Sequence, residues 1–243
     1  MFSKKHFITE NIPDLTGKVA IVTGGNTGIG YITARELSRK NAHVFIASRN
    51  KERGEGAVEK IKKETGNDQV EYLNLDLVNL KNVKKSAENF LSKNLPLHIL
   101  INNAGIMATP WALTEDGIQD QFGVNHVGHF LFTMTLLSKI EASAPSRIVN
   151  VSSTAHNFAP AVGIEFDKIN QDAAQSTWQR YGTSKLANIL FTESLSKRLE
   201  GKEVYVNSIH PGVVNTELTR GPISEFFWVG SFLFYSLTSS TLG

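Results

Sequence analysis

Residues 18–30, Lys-Val-Ala-Ile-Val-Thr-Gly-Gly-Asn-Thr-Gly-Ile-Gly, join a short apolar run to a glycine-rich turn. The apolar run 18–23 predicts a buried strand, and residues 28–40 predict a helix after the turn. In a parallel sheet this turn opens at the carboxyl end of the strand, where ligands bind. Glycines let the backbone approach a pyrophosphate, and a helix N-terminus attracts anions. The stretch therefore predicts a nucleotide site, and Tyr31 after Gly30 excludes a Walker A loop, which needs Lys there.

The rest of the chain repeats this alternation of strand and helix. Further strands are predicted at 43–48, 70–75, 97–101, 147–151 and 204–209, and further helices at 50–64, 79–93, 116–142 and 176–201. Continuous apolar strands separated by helices predict an α/β fold, a doubly wound parallel sheet of the Rossmann type. No linker rich in Gly, Pro or Ser interrupts residues 1–243, so we predict a single domain. Residues 152–176 lack a clear period and predict a long loop with room for a short helix; a loop of this length is usually either functional or disordered.

Composition narrows the functional classes. The 243 residues carry a net charge of +2, which gives no support for a nucleic-acid partner, and 41% are hydrophobic. The absence of cysteine excludes disulfides, thiolate catalysis and Cys-based zinc sites. His126 and His129 are spaced for one helix face, but no third ligand is in register. Histidines of the core or surface are therefore predicted there, and no metal site.

Tyr181 and Lys185 are predicted to share one face of the last helix, because positions i and i+4 lie one above the other. A cation beside a tyrosine favours the phenolate and lowers the phenol pKa, which would suit acid–base catalysis near neutral pH. The alternative is an ordinary surface pair. The remaining motifs decide between the two.

The turn Thr23-Gly24-x-x-x-Gly28-Ile29-Gly30 and the Tyr181-x-x-x-Lys185 helix make the chain resemble the short-chain dehydrogenase/reductase family over residues 15–216. Other motifs of that family follow in order. They are Asp76-Leu77, Asn102-Asn103-Ala104-Gly105, Asn125, and Ser152-Ser153. The 28 positions from Ser153 to Tyr181 resemble the branch of retinol dehydrogenases and the WW-domain oxidoreductase.

The resemblance implies a role for each motif residue. Tyr181 would exchange the proton with the substrate oxygen, and Ser153 would bind that oxygen. Lys185 would lower the Tyr181 pKa and bind the nicotinamide ribose. Asn125 would bend its helix locally and hold a water that connects Lys185 to solvent. The implied cofactor-binding residues are Thr23, Gly24, Asn26, Thr27, Gly28, Ile29, Gly30, Arg49, Asp76, Leu77, Asn103, Ala104, Gly105, Tyr181, Lys185, Pro211, Gly212 and Thr216.

The second strand indicates which cofactor is used. No Asp or Glu stands at its end, where an acid would bind the 2′-hydroxyl of NAD. Arg49 stands there instead and would suit the 2′-phosphate of NADP. The alternative is a solvated arginine at a helix start. NADP(H) is therefore the predicted cofactor. For Asp76, a helix cap is the alternative to a contact with adenine.

The aromatic segment 226–237 bears on the substrate and on location. Its aromatic side chains suggest a lipophilic carbonyl or alcohol substrate, such as a retinoid, steroid or long-chain aldehyde; a core helix and a membrane-surface patch are the alternatives. A cytoplasmic protein, or one held peripherally on a membrane or lipid droplet, is expected. By resemblance, the helices at 116–142 and 176–201 would pair in a homodimer.

Residues 212–243 would form a substrate-loop segment. The fold normally adds a last strand and helix beyond it, so the chain is expected to lack them and to be C-terminally truncated. The alternative to an enzyme is therefore a nucleotide-binding regulator or interaction module with little catalysis.

Overall fold

The computed structural model describes residues 8–212, and the doubly wound parallel sheet is confirmed. Six parallel strands follow the order β3-β2-β1-β4-β5-β6. The strands are β1 (Val19–Thr23), β2 (His43–Ser48), β3 (Val70–Asn74), β4 (Ile99–Asn102), β5 (Ser146–Val151) and β6 (Val204–Ile209). The order reverses direction between β1 and β4, the position at which doubly wound sheets bind their ligands. The predicted contacts of Thr216 and of segment 226–237 lie outside the described residues.

Helices cover both faces of the sheet. They are α1 (Gly28–Arg39), α2 (Lys51–Thr65), α3 (Leu80–Leu91), α4 (Asp120–Phe122), α5 (Gly128–Ala142) and α6 (Thr177–Arg198), with a π-helical turn at Gly123–Val127 between α4 and α5. Short 3-10 turns lie at Thr9–Asn11, Thr154–Phe158 and Asp172–Ala174.

Alternation along β1 divides the core into two layers, because successive side chains of a strand point to opposite faces. Val19 and Ile21 pack into the layer shared with α3, α5 and α6. Ala20 and Val22 pack into the layer under α1 and α2. These four side chains are almost inaccessible to solvent, so β1 is a buried central strand. Packing on both faces holds its carboxyl end in place, where the glycine turn begins.

Two predicted boundaries were wrong for identifiable reasons. The helix predicted at 116–142 begins at Asp120 and contains the π-helical turn, where Asn125 lies. The strand predicted at 97–101 begins at Ile99, and the backbone N–H of Leu97 lies outside the ladder, since it donates to Ser143 Oγ (2.9 Å). Apart from α6, which ends at Arg198 and not at residue 201, the other ends agree or differ by at most two residues. Three predicted helix starts prove to be N-caps: Asn50, Asn79 and Ser176.

Between residues 8 and 212, no helix is both long enough and apolar enough to cross a membrane. The predicted loop after β5 is confirmed as irregular apart from its two 3-10 turns, at Thr154–Phe158 and Asp172–Ala174.

Candidate active site

The glycine turn after β1 is shaped by backbone that only glycine tolerates well. Gly24 and Gly28 have positive φ angles of 64° and 55°. A Cβ on Gly30 would lie 2.3 Å from the carbonyl oxygen of Gly24 and 2.5 Å from Asn103 Nδ2. The turn therefore folds back onto the start of α1 so closely that a methyl group has no room.

The N-terminus of α1 differs from those of α2, α3 and α6. Each of those three helices is capped by an Asn or Ser side chain, whereas Thr27 at the start of α1 makes no side-chain cap. No acidic residue lies in the first turn of α1. The free N–H groups and the positive end of the helix dipole are thus available to a phosphate.

Thr23 joins the glycine turn to the segment after β4. Its hydroxyl oxygen accepts the backbone N–H groups of Asn103 and Ala104, each at 2.9 Å, and the Asn103 side chain donates back to the Thr23 carbonyl at 2.8 Å. A Cβ on Gly24 would lie 3.1 Å from Ala104 Cα. The two segments predicted to hold the cofactor are therefore adjacent, because β1 and β4 are neighbours in the sheet.

Arg49 lies exposed just after the carboxyl end of β2, and among the described residues its side chain has no hydrogen-bond or ion-pair partner. Sequence reasoning missed a second cation, Arg53. Its side chain is exposed and lines a cavity of about 360 Å³ with Asn26, Thr27 and Gly28 of the turn. Arg53 lies in the first turn of α2, four positions after Arg49, and a second arginine so soon after the end of β2 was a signal that could have found it.

Asp76 and Leu77 follow β3. Asp76 Oδ1 accepts the backbone N–H of Val78 at 3.2 Å, so the carboxylate shapes a turn. Its predicted alternative, a helix cap, is wrong, because Asn79 caps α3. Leu77 is buried and contacts the helix that holds Asn125, since a Cβ on Gly128 would lie 3.0 Å from Leu77 Cδ2.

Asn125 is fully buried at the centre of the π-helical turn. Its side chain accepts the N–H of Ile106 at 2.8 Å, and donates to the Ile106 carbonyl at 2.9 Å and to Ser184 Oγ at 3.0 Å. A Cβ on Gly105 would lie 3.1 Å from Asn125 Oδ1 and 3.7 Å from Lys185 Nζ. Asn125 thus joins the segment after β4 to α6 beside the predicted catalytic lysine.

Lys185 and Tyr181 are both buried on the face of α6 that packs against the sheet. Lys185 Nζ donates to the Val151 carbonyl at 3.0 Å and lies 5.5 Å from the centre of the Tyr181 ring. Asn188 Nδ2 donates to the same carbonyl at 3.2 Å, which fixes the acceptor. Burial lowers the pKa of Lys185 to about 8.

The pKa of Tyr181 shifts in the direction opposite to the prediction. Burial raises it above its ordinary value, and the hydroxyl of Ser153 offsets part of this rise. Burial disfavours the phenolate, and the ammonium of Lys185 is directed to a carbonyl rather than to the phenol oxygen. The chain alone therefore holds Tyr181 protonated, as a proton donor.

The two serines lie after the end of β5, and both contact α6 through different partners. Ser152 Oγ donates to the backbone carbonyl of Lys185 at 2.8 Å, which pins β5 to α6. Ser153 lies on the side of Tyr181 and accepts the N–H of Ala155 at 3.1 Å. Beside Tyr181, a Cβ on Gly182 would lie 2.6 Å from the Ala155 carbonyl oxygen, so the 3-10 turn packs directly on α6.

Pro211, Gly212 and the two histidines are the remaining residues considered in the sequence, and they lie on different elements. Pro211 and Gly212 follow β6, and Gly212 has a positive φ of 82°. His129 is a core histidine and His126 is half-buried; their Nδ1 atoms lie 3.0 Å from the Asn125 carbonyl oxygen and 3.1 Å from Asn188 Oδ1. Within the described part of the chain, no three His, Asp or Glu side chains gather as metal ligands would.

Comparison with known proteins gives consistent matches. A sequence profile described as short chain dehydrogenase matches residues 18–165 and 169–224. Mouse retinol dehydrogenase 11 is 47% identical over 227 residues, which cover 93% of this chain and 71% of that protein. Human retinol dehydrogenase 13 is 49% identical over 85% of this chain and 62% of its own length. The chain thus spans roughly two thirds of such relatives.

Solved structures match the fold. A protein from Mycobacterium paratuberculosis has a TM-score of 0.74 and 38% identity, over 88% of this chain and 75% of that one. The NADP active-site complex of RhlG from Pseudomonas aeruginosa has a TM-score of 0.68 and 28% identity, over 85% of this chain and 77% of that one.

Proposed function

The chain belongs to the short-chain dehydrogenase family, and we propose that it is an NADP(H)-dependent oxidoreductase acting on a lipophilic carbonyl or alcohol. The main support for the proposal is that two sites predicted separately, the glycine turn and the Tyr181–Lys185 pair, lie side by side. Gly105 lies next to both Asn125 and Lys185, and it directly follows the segment that Thr23 ties to the glycine turn. A cofactor cradle and an acid–base pair are therefore parts of one site.

The residues at this site fit a nicotinamide dinucleotide. The turn leaves no room for a Cβ at Gly30 and little at Gly24, and the uncapped start of α1 offers N–H groups to a pyrophosphate. When bound, the nicotinamide supplies or accepts the hydride. The role of the protein is to bind and orient that group, exclude water and move the proton.

The proton steps follow from the burial of the catalytic residues. In reduction, Tyr181 donates its proton to the substrate oxygen, and its raised pKa keeps the proton in place until negative charge develops there. The Ser153 hydroxyl binds the same oxygen and stabilises that charge. The ammonium of Lys185 then favours the phenolate left behind, and the Val151 carbonyl holds its Nζ in position.

Arg49 and Arg53 support the choice of NADP(H) over NAD(H). The Arg49 side chain is exposed just after β2, and the exposed Arg53 lines the cavity beside the glycine turn. No carboxylate stands at the end of β2 to repel a phosphate. RhlG, the relative solved with NADP, shares the fold. Charge-assisted bonds to a phosphate contribute about 1.5–3 kcal/mol each, so Arg49→Ala should weaken NADPH binding at least tenfold. The affinity for NADH should stay within about twofold, which serves as the internal control.

The loop after β5 supports a lipophilic substrate. It exposes Phe158, Val162 and Phe166 at 54%, 82% and 73%. Phe158 contacts Trp178, and Trp178 contacts Tyr181 edge to face, with centroid separations of 6.2 and 6.5 Å. An apolar surface therefore leads to the proton donor. Relatives named retinol dehydrogenase suggest a retinoid, and a steroid or long-chain aldehyde has the same character.

The central test compares the unchanged chain with Tyr181→Phe. The unchanged chain should oxidise NADPH with all-trans-retinal or a medium-chain aldehyde. Tyr181→Phe should lose turnover by at least about a hundredfold, the contribution of a positioned acid, while NADPH affinity stays unchanged. Retained turnover in this variant would refute the role of Tyr181. Saturable NADPH binding without oxidation of any carbonyl by the unchanged chain would instead indicate a nucleotide-binding regulator.

A further inference from the structure

His129 occupies a place in the site that the proposed mechanism does not use. The side chain is buried, with 3% exposure, on the first turn of α5. Its Nδ1 lies 3.0 Å from the Asn125 carbonyl oxygen, and its Nε2 lies 2.8 Å from Thr23 Oγ1. One imidazole therefore links the glycine turn to the π-helical turn that carries Asn125.

The partners of His129 fix its tautomer. A carbonyl oxygen only accepts hydrogen bonds, so Nδ1 must carry a proton and donate to Asn125. Thr23 Oγ1 already accepts the N–H groups of Asn103 and Ala104. Its own O–H is therefore the donor to Nε2, and the hydroxyl makes all three of its hydrogen bonds.

The charge state of His129 agrees with this assignment. Burial lowers the pKa of His129 to about 4; the hydrogen bond to the Asn125 carbonyl raises it, and Lys185 and His126 lower it further. A protonated ring would have two N–H donors and would compete with the Thr23 hydroxyl. The neutral ring satisfies every partner, and it stays neutral at physiological pH.

The position of His129 connects two functions. Its bond to Thr23 supports the hydroxyl that holds Asn103 and Ala104 beside the glycine turn. Its other bond is to the backbone carbonyl of Asn125, within the π-helical turn. The side-chain amide of the same Asn125 contacts Ile106 and Ser184. Loss of the first bond should loosen the cofactor cradle. Loss of the second should let the helix rewind and rotate Asn125.

We propose that His129 is a positioning residue of this oxidoreductase, a neutral ring in one tautomer that aligns the cofactor turn through Thr23 and the catalytic helix through Asn125. The inference rests on the proposed function and deepens it. It separates two contributions of one side chain, one to cofactor affinity and one to the catalytic step.

Two conservative variants each keep one of the two hydrogen bonds of the ring and remove the other. His129→Gln places an acceptor near the position of Nε2 and keeps the partner of Thr23, but it removes the donor to Asn125. His129→Asn places a donor near Nδ1 and keeps the bond to Asn125, but it leaves Thr23 without an acceptor. Each change removes about one net hydrogen bond, equivalent to a three- to tenfold effect on an equilibrium or rate.

The measurements are NADPH affinity by fluorescence titration, kcat with a carbonyl substrate, and the unfolding midpoint, all on the full chain. His129→Asn should weaken NADPH binding about three- to tenfold and leave kcat nearly unchanged. His129→Gln should lower kcat by about the same factor and leave NADPH affinity unchanged. Nitrogen NMR of the unchanged chain should show His129 with its proton on Nδ1.

Ser143→Ala is the matched control. Ser143, the residue that follows the C-terminal end of α5, is also buried and hydrogen-bonded: its hydroxyl accepts the Leu97 N–H and donates to the Lys139 carbonyl. Its loss should lower the unfolding midpoint alone. If both His129 variants behave like Ser143→Ala, or alter affinity and kcat equally, or if the proton is found on Nε2, the inference fails. If the unchanged chain does not bind NADPH, the proposed function fails first, and the inference with it.

Discussion

Replacing Gly30 by alanine tests whether the glycine turn is as closely packed as the structure shows. The added Cβ would lie 2.3 Å from the Gly24 carbonyl oxygen, where ordinary contacts are 3.4 Å or longer, and 2.8 Å from the Gly24 carbonyl carbon. Both atoms belong to backbone that cannot rotate away. Overpacking costs about 1–3 kcal/mol, and such a clash falls near the upper end. The better helix propensity of alanine recovers at most about 1 kcal/mol.

The net expectation for Gly30→Ala is a loss of about 2 kcal/mol in the free energy of unfolding. In a chain of this size, that corresponds to a thermal midpoint lower by about 4–8 °C. NADPH affinity should also fall at least tenfold, because the turn must move away from α1. Differential scanning fluorimetry and a fluorescence titration measure the two effects.

Gly56→Ala supplies the matched control. Gly56 lies inside α2, and a Cβ there would meet no atom within 4 Å. The same substitution should therefore stabilise the protein by up to about 1 kcal/mol, through helix propensity alone. The thermal midpoint should rise by about 2–4 °C. Midpoints that move in the same direction for Gly30→Ala and Gly56→Ala would refute the reasoning.

Three further predictions concern buried charges and the loop after β5. Burial lowers the pKa of Lys185 from 10.5 to about 8, so the charged side chain costs about 3 kcal/mol at pH 7. Lys185→Met should therefore raise the thermal midpoint at pH 7 and abolish turnover. The unchanged chain should become more stable as the pH rises from 8 to 10.5, and Lys185→Met should not. Burial raises the pKa of Glu36, but hydrogen bonds from Arg39 and Arg35 outweigh it and lower the pKa overall. The ionised Glu36 therefore stabilises the fold above its unfolded pKa of about 4.3, and this stabilisation is lost as the pH falls through the lower folded pKa. In urea unfolding, the free energy of unfolding of Glu36→Gln should fall less steeply at acid pH than that of the unchanged chain. Gly182→Ala should raise KM for carbonyl substrates with NADPH affinity unchanged, because its methyl would displace the 3-10 turn; equal effects on both would contradict this.

Local sequence determined the strands and helices to within a few residues. The apolar run at 19–23 and the apolar periodicity of the helices depend on neighbouring residues alone, so a linear pattern carries them. The family motifs likewise placed Thr23, Asn125, Ser153 and Tyr181 in one fold. The resemblance implied a local bend of the helix at Asn125, but not that the bend is a π-helical turn. That turn depends on Asn125 and His129 finding partners on other elements, such as Ile106 and Thr23.

The sequence by itself determined the parallel sheet, its glycine turn and the residue types of the site, because these follow from patterns a few residues long. Only the tertiary structure decided how those residues act. Burial set the pKa values of Lys185 and Tyr181, and it reversed the direction expected for the tyrosine. The hydrogen bond from Thr23, which is remote in sequence, together with the bond to Asn125 gave His129 its tautomer, and the packing of α2 brought Arg53 beside the glycine turn. Solvent exclusion and hydrogen bonding between distant segments are properties of the folded chain, so no local pattern contains them.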